Sequence, residues 1–170
     1  MRWVTPWRGL MVGASAQSQK LDGAGPEGTL HMAPAFLDAF YAEWKKGKAS
    51  SEVEYWRSPM YPMLTLGPDT FTAAFDQRAW YGMVSYQVTH KLQVGAYYSH
   101  YVNKARDTSQ PENYSEDWVI SGRYDFNQYF YGKVEGHFLH GTGLGYYSST
   151  NPIGLQPNAN MLAARVGFTF

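Results

Sequence analysis

From about residue 78 onward, apolar and polar residues alternate with a period of two, and turn-forming residues interrupt the alternation at regular intervals. Trp80, Gly82, Val84, Tyr86 and Val88 share one face, opposite Tyr81, Met83, Ser85 and Gln87. Beyond Thr89-His90-Lys91, Leu92, Val94, Ala96 and Tyr98 alternate with Gln93, Gly95, Tyr97 and Ser99. A polar stretch from Asn103 to Glu116 reads as loop. Trp118, Ile120, Gly122, Tyr124 and Phe126 then alternate with Val119, Ser121, Arg123 and Asp125, and Phe130, Gly132, Val134, Gly136 and Phe138 with Tyr131, Lys133, Glu135 and His137. Gly141 to Asn158 is a second long loop, and the last strand sets Leu162, Ala164, Val166, Phe168 and Phe170 against Met161, Ala163, Arg165, Gly167 and Thr169.

The amino-terminal half is noisier. It predicts strands near 8–18, 34–45 and 49–58, with loops at 19–33 and 59–77. The Ala35–Lys46 segment also has helix-favouring alanine, leucine and glutamate. The reading totals about eight strands whose connections alternate between short and long, which places all short turns at one end and all long loops at the other. Odd turn lengths set the register. Three-residue turns pair Val88 with Leu92 and Phe126 with Phe130, keep Lys133 off the face of Ile120, and place Tyr98 across from Gly82 and Tyr124 across from Gly132. An aromatic ring laid over a cross-strand glycine stabilises a sheet.

The apolar faces are sorted by height. Aromatic residues sit at strand ends and small aliphatics between them: Trp118 and Phe126 bracket Ile120 and Gly122, while Phe130 and Phe138 bracket Val134. Eight residues of a strand tilted by about 40° rise roughly 20 Å, close to the apolar band of a membrane barrel. The opposite faces carry charges of both signs, in Arg123, Asp125, Lys133, Glu135 and Arg165, as a wet lumen would. The fold class expected is all-β, an antiparallel transmembrane β-barrel.

Composition narrows the reading. The 170 residues hold 14 Lys plus Arg against 14 Asp plus Glu, which speaks against nucleic acid as a partner. Aromatics reach 17%, and with no cysteine there are no disulfides, thiolate metal sites or thiol chemistry. Residues 1–16 can be read as a signal peptide or as a strand, the short apolar patch after Arg8 favouring a strand.

The carboxy-terminal alternation, Leu162, Ala164, Val166, Phe168 and the final Phe170, resembles bacterial outer-membrane β-barrels, specifically the porin-like proteins of Gram-negative bacteria. The segment Asp117–Gly143 is similar to the penultimate hairpin of large porins. The resemblance covers about residues 78–170. It implies that residues 1–170 are one barrel domain, incomplete at the amino terminus, corresponding to the carboxy-terminal half of a barrel of about sixteen strands. It implies location in the cell outer membrane, and as partners the outer-membrane lipid, the barrel-assembly machinery that reads the terminal strand, and small hydrophilic solutes. A homo-oligomer is left open.

The function expected is a channel for passive diffusion of small hydrophilic solutes or ions. The alternative is a small eight-stranded, non-conducting structural or adhesive barrel; a soluble ligand-binding barrel fits the rim-sorted aromatics poorly. The expected pore-lining residues are Arg123, Asp125, Lys133, Glu135, His137 and Arg165, and the expected aromatic girdle is Trp80, Tyr98, Trp118, Phe126, Phe130 and Phe138. No enzyme, cofactor or metal is expected. His137 and His140 fall on opposite faces of a strand, and Glu135 with His137 makes too few ligands. Gly141-Thr142-Gly143-Leu144-Gly145 follows a strand and lacks the lysine of a phosphate loop, and Ser121 near His137 lacks any nucleophile motif.

Overall fold

The computed structural model describes residues 1–144 and 154–168. They form an open antiparallel sheet of eleven strands. In chain order these are β1 (Arg2–Val4), β2 (Leu10–Gly25), β3 (Gly28–Lys46), β4 (Ala49–Met60), β5 (Pro62–Leu66), β6 (Asp69–Thr72), β7 (Phe75–Gln87), β8 (Leu92–Asn103), β9 (Tyr114–Asp125), β10 (Phe130–Gly141) and β11 (Asn158–Phe168). The path across the sheet is β1-β2-β3-β4-β7-β8-β9-β10-β11, with β5 attached to β3 and β6 to β5. The sheet does not close on itself; β1 and β11 are its edges.

Strand identity follows the alternation. Ala35–Lys46 is strand, not helix: pairing on both sides, Phe40 with Ala14 and with Tyr55, overrides its helical propensity. The expected turn registers hold. Val88 donates its N–H to the Leu92 carbonyl and Phe126 to that of Phe130, and Gly82 pairs with Tyr98 and Gly132 with Tyr124. Gly47 opens the β3–β4 turn with φ +58°, the left-handed backbone that tight hairpin turns demand.

The expected loops at 19–33 and 59–77 are largely strand. β2 and β3 continue past the sheet as one long hairpin closed by Pro26 and Glu27, and β5–β6 docks on its side, Leu30 opposite Leu64. The pairing slips between Gln19–Leu21 and Met32–Ala35, where β3 holds an extra residue. Pro34, with no N–H to give the ladder, lies in that bulge. The Asn103–Glu116 loop is shorter than expected, because β8 runs to Asn103 and β9 starts at Tyr114. The buried Asn103 side chain organises its start by accepting N–H bonds from Asp76 and Ala105. Of the second long loop, residues 145–153 lie outside the described residues.

The sheet curls around its polar side. Ser50 on β4 and Arg165 on β11 line one cavity of about 250 Å³. On a flat sheet they would stand five strand spacings, about 24 Å, apart.

Candidate functional site

Each long strand presents one face to the inside of this curl and one to the outside. The inner face is built in rows, because antiparallel register places side chains of neighbouring strands opposite one another. One row runs Gln87–Gln93–Arg123–Lys133–Arg165 across β7 to β11. Within it Arg123 Nε lies 2.8 Å from Asp125 Oδ1, and Lys133 Nζ 2.9 Å from Glu135 Oε1. Both ion pairs run along a strand, two residues apart. Across the strands of this row, cation faces cation. The Tyr131 ring lies 4.0 Å from the Arg123 guanidinium, and its hydroxyl accepts a 2.7 Å bond from Arg165 Nη2.

His137 Nδ1 sits 2.7 Å from Asp117 Oδ2 across β9 and β10, in the most enclosed part of the inner face beside the buried Val119. His140 faces the other way, against Glu116 at 3.3 Å, as strand geometry requires. Ser121 and His137 share the inner face but engage Gly95 and Asp117 respectively, so they form no dyad.

All six expected pore-lining residues therefore share one concave surface. The sequence reading missed its other half. Glu43 on β3 stands directly opposite Glu52 on β4, with Glu54 two residues on and the Tyr81 hydroxyl donating to Glu52. On the inner face Glu43, Glu52 and Glu54 outnumber Lys45 on β3–β4, Arg123, Lys133 and Arg165 stand with Asp117, Asp125 and Glu135 on β9–β11, and uncharged Ser50, Ser85, Gln93 and Ser121 lie between. Ser50 and Ser85 share a 2.6 Å hydroxyl contact, and Gln93 Nε2 donates to Ser85 at 3.2 Å.

The outer face is apolar through its middle and aromatic at its ends. Trp80, Tyr98 and Trp118 make tilted ring contacts at 5.2 and 4.6 Å, with Phe138 opposite Trp118. At the short-turn end Tyr124, Phe126 and Phe130 cluster at 5.3 and 5.4 Å, and Phe168 pairs with Phe130. Ile120, Val134 and Val166 lie between the two groups. Phe40, Trp44, Tyr55 and Tyr86 extend the aromatic ends onto β3, β4 and β7; the alternation through 36–55 was the signal for them. Leu162, Ala164, Val166 and Phe168 are exposed on the outer side of the β11 edge, and Phe170 lies outside the described residues.

Two expectations need correction. Tyr98 and Tyr124 pair with glycines, yet their rings do not cover them: the nearest atom to a Cβ on Gly132 belongs to Phe126, and to one on Gly82, Trp80. The tyrosines that do lie over cross-strand glycines are on the inner face, Tyr41 over Gly13 and Tyr131 over Gly167. The odd turns also keep charges inside only through the middle of the sheet. Beyond the upper aromatics the outer face carries Arg57 and Arg78 on Asp76, at 2.7 and 2.5 Å, and Glu116 between His100 and His140. No family model, curated protein or solved structure matches this chain.

Proposed function

We propose that this chain forms the wall of an outer-membrane, porin-like channel through which small hydrophilic solutes or ions diffuse. The observation that carries this reading is an inversion of burial against polarity. The His137 and Asp117 side chains are 11% and 15% exposed, whereas Ile120 is 61% and Leu162 78% exposed. Each such aliphatic held in water forgoes roughly 1.5–3 kcal/mol of burial, and a contiguous surface of them is foreign to a soluble monomer. Hydrocarbon against that surface removes the penalty, and aromatics at two heights suit the two interfaces. Charges beyond the upper aromatics then reach water and headgroups.

In hydrocarbon, unpaired backbone groups along the β11 edge cost several kcal/mol each, so the membrane form is a closed barrel. The exposed apolar stripe of β11, from Leu162 to Phe168, is the surface offered to the barrel-assembly machinery. The curled polar face becomes the lumen, where water and fixed charges replace a solute's hydration shell.

Reconstitution into a planar bilayer tests the proposal. Discrete ohmic conductance steps are expected, together with extraction from membranes only by detergent. A chain that dissolves without detergent ends the membrane reading; a folded membrane barrel that conducts nothing supports the structural-barrel alternative instead.

A further inference from the structure

We infer that the short-turn rim of the sheet is a docking surface for anionic phospholipid headgroups, gripped by Arg8, Lys46 and Lys48. The inference rests on the membrane reading above and names the lipid that one edge of the wall meets. Three connections lie side by side at this end. The Lys45 N–H donates to the Gly9 carbonyl at 2.9 Å, joining the β1–β2 connection to the β3–β4 turn. The Gln87 N–H donates to the Lys48 carbonyl at 2.8 Å, and Lys48 Nζ to that of Val88 at 3.4 Å, joining this turn to the β7–β8 turn. Each brings cations to the rim: Arg8 in the first, Lys46 and Lys48 at the second, Lys91 in the third. The short connections, residues 5–9, 47–48, 88–91 and 126–129, contain no aspartate or glutamate. Among the described residues, the carboxylates that hold a lysine or arginine hold others: Lys20, Arg57, Arg78, Arg123 and Lys133.

The opposite rim is built otherwise. Arg57 and Arg78 are held there on Asp76 and Lys20 on Asp22, while Glu27, Asp69, Asp107 and Glu112 add negative charge in or beside its connections. Solubility calls for charges of both signs interspersed over a surface. A single sign confined to one rim points to a partner of the other sign, and the neighbours of the cations identify it. Trp7 is 74% and Tyr86 50% exposed, and Trp44 shares the outer face of β3 with Lys46. The cations thus stand directly beyond the aromatic end of the apolar face, the order in which a chain leaving hydrocarbon meets the interface and then the phosphates. Lysine and arginine stems lie along such rings while their heads reach the phosphates. Lys45 and Lys91, toward the lumen at the same turns, strengthen the potential within a Debye length of about 8 Å. A zwitterionic headgroup offsets its phosphate with its own ammonium, so the rim selects lipids of net negative charge.

Spin-labelled lipids measure the preference on the full chain folded in phosphatidylcholine bilayers. Labelled phosphatidylglycerol is expected to associate more strongly than labelled phosphatidylcholine, by about fivefold for each cation a headgroup meets. The preference is expected to fade from about 0.01 M to about 1 M salt, as the Debye length shrinks from about 30 to about 3 Å. The triple variant Arg8→Gln, Lys46→Gln, Lys48→Gln abolishes it, whereas Arg57→Gln with Arg78→Gln at the other rim leaves it in place. Should the triple variant not fold, Lys46→Gln and Lys48→Gln taken singly each reduce the preference. No preference for phosphatidylglycerol, or one that survives these changes, overturns the inference. Displacement of the labelled lipid by dilute inorganic phosphate marks a site for the free ion and overturns the lipid assignment. In planar bilayers, conductance without lipid preference overturns the inference and leaves the channel standing; lipid preference without conductance does the reverse.

Discussion

The sheet has two unlike halves. From β7 to β11 each strand pairs in unbroken register with the next, and the short connections are odd-length turns that carry the inside–outside alternation faithfully from strand to strand. From β1 to β6 the register slips at the Pro34 bulge, β2 and β3 outrun the sheet, and a small hairpin is hung on the side. The difference shows what keeps a face uniform. Strict period-two pairing commits every side chain of the carboxy-terminal half to one environment, whereas a single extra residue in β3 frees the amino-terminal extension from that constraint.

The largest effect that can test this contrast is a charge on the outer face at mid-height. Val134→Lys is expected to cost roughly 2–4 kcal/mol in lipid. Leu30→Lys, on the extension, is expected to cost within about 0.5 kcal/mol, as for ordinary surface changes. Urea unfolding in lipid vesicles measures both, and equal costs would erase the distinction between the halves.

Glycines under tyrosine rings sharpen it next. A side chain at Gly13 or Gly167 must displace Tyr41 or Tyr131, so Gly13→Val and Gly167→Val are expected to cost about 1–3 kcal/mol by overpacking. Gly122 has open space where a Cβ would stand, and Gly122→Ala is expected to be neutral or slightly stabilising in the same assay. The tyrosine pairs hold in both halves, one each, so matched losses at Gly13 and Gly167 would show that this device is independent of register regularity.

Excision of the β5–β6 hairpin is expected to change less. Replacing residues 62–72 by a short turn leaves β4 paired with β7, because that register, Met60 opposite Phe75, does not involve the hairpin. Conductance and unfolding midpoint are both expected to stay near those of the intact chain; loss of folding would make the hairpin an integral part of the wall.

The smallest effect concerns the Lys104–Asn113 connection. The Asp107 carboxylate accepts bonds from the Ser109 N–H at 3.0 Å and hydroxyl at 2.8 Å, and these hold its pKa below the usual carboxylate value. Because the folded value is the lower one, the ordering this group provides is complete above the ordinary carboxylate range and fades as pH falls through the depressed value. Amide exchange at Ser109, corrected for its intrinsic pH dependence, is expected to lose protection only in strong acid, and Asp107→Asn to bring the loss to neutral pH.

Much of this was legible in the residues. Trp118 through Phe126 and Phe130 through Phe138 announce two strands, and the parity of the turn between them settles which side Lys133 and Glu135 take. The outer aromatics Trp80, Tyr98 and Trp118 likewise follow from alternation alone. The acidic patch was not legible in the same way. Glu43 and Glu52 belong to strands whose pairing depends on where the Gly47 turn falls, and a polar residue beside a polar residue gives no hint of what stands across from it. Nor do Leu64 and Phe71 read as strand residues without β3 beside them, since a hairpin so short lacks stability alone.

The chain's own pattern determined that it is all-β, which side of each strand is apolar, and how the carboxy-terminal hairpins are registered, because period-two alternation and turn length are local properties. The third dimension decided the rest: that the sheet curls toward its polar side, that like charges meet across β9, β10 and β11, and that Glu43 and Glu52 stand opposite each other on β3 and β4. Those features depend on which strands become neighbours and how steeply the sheet twists, and only the summed pairing of the whole chain sets them.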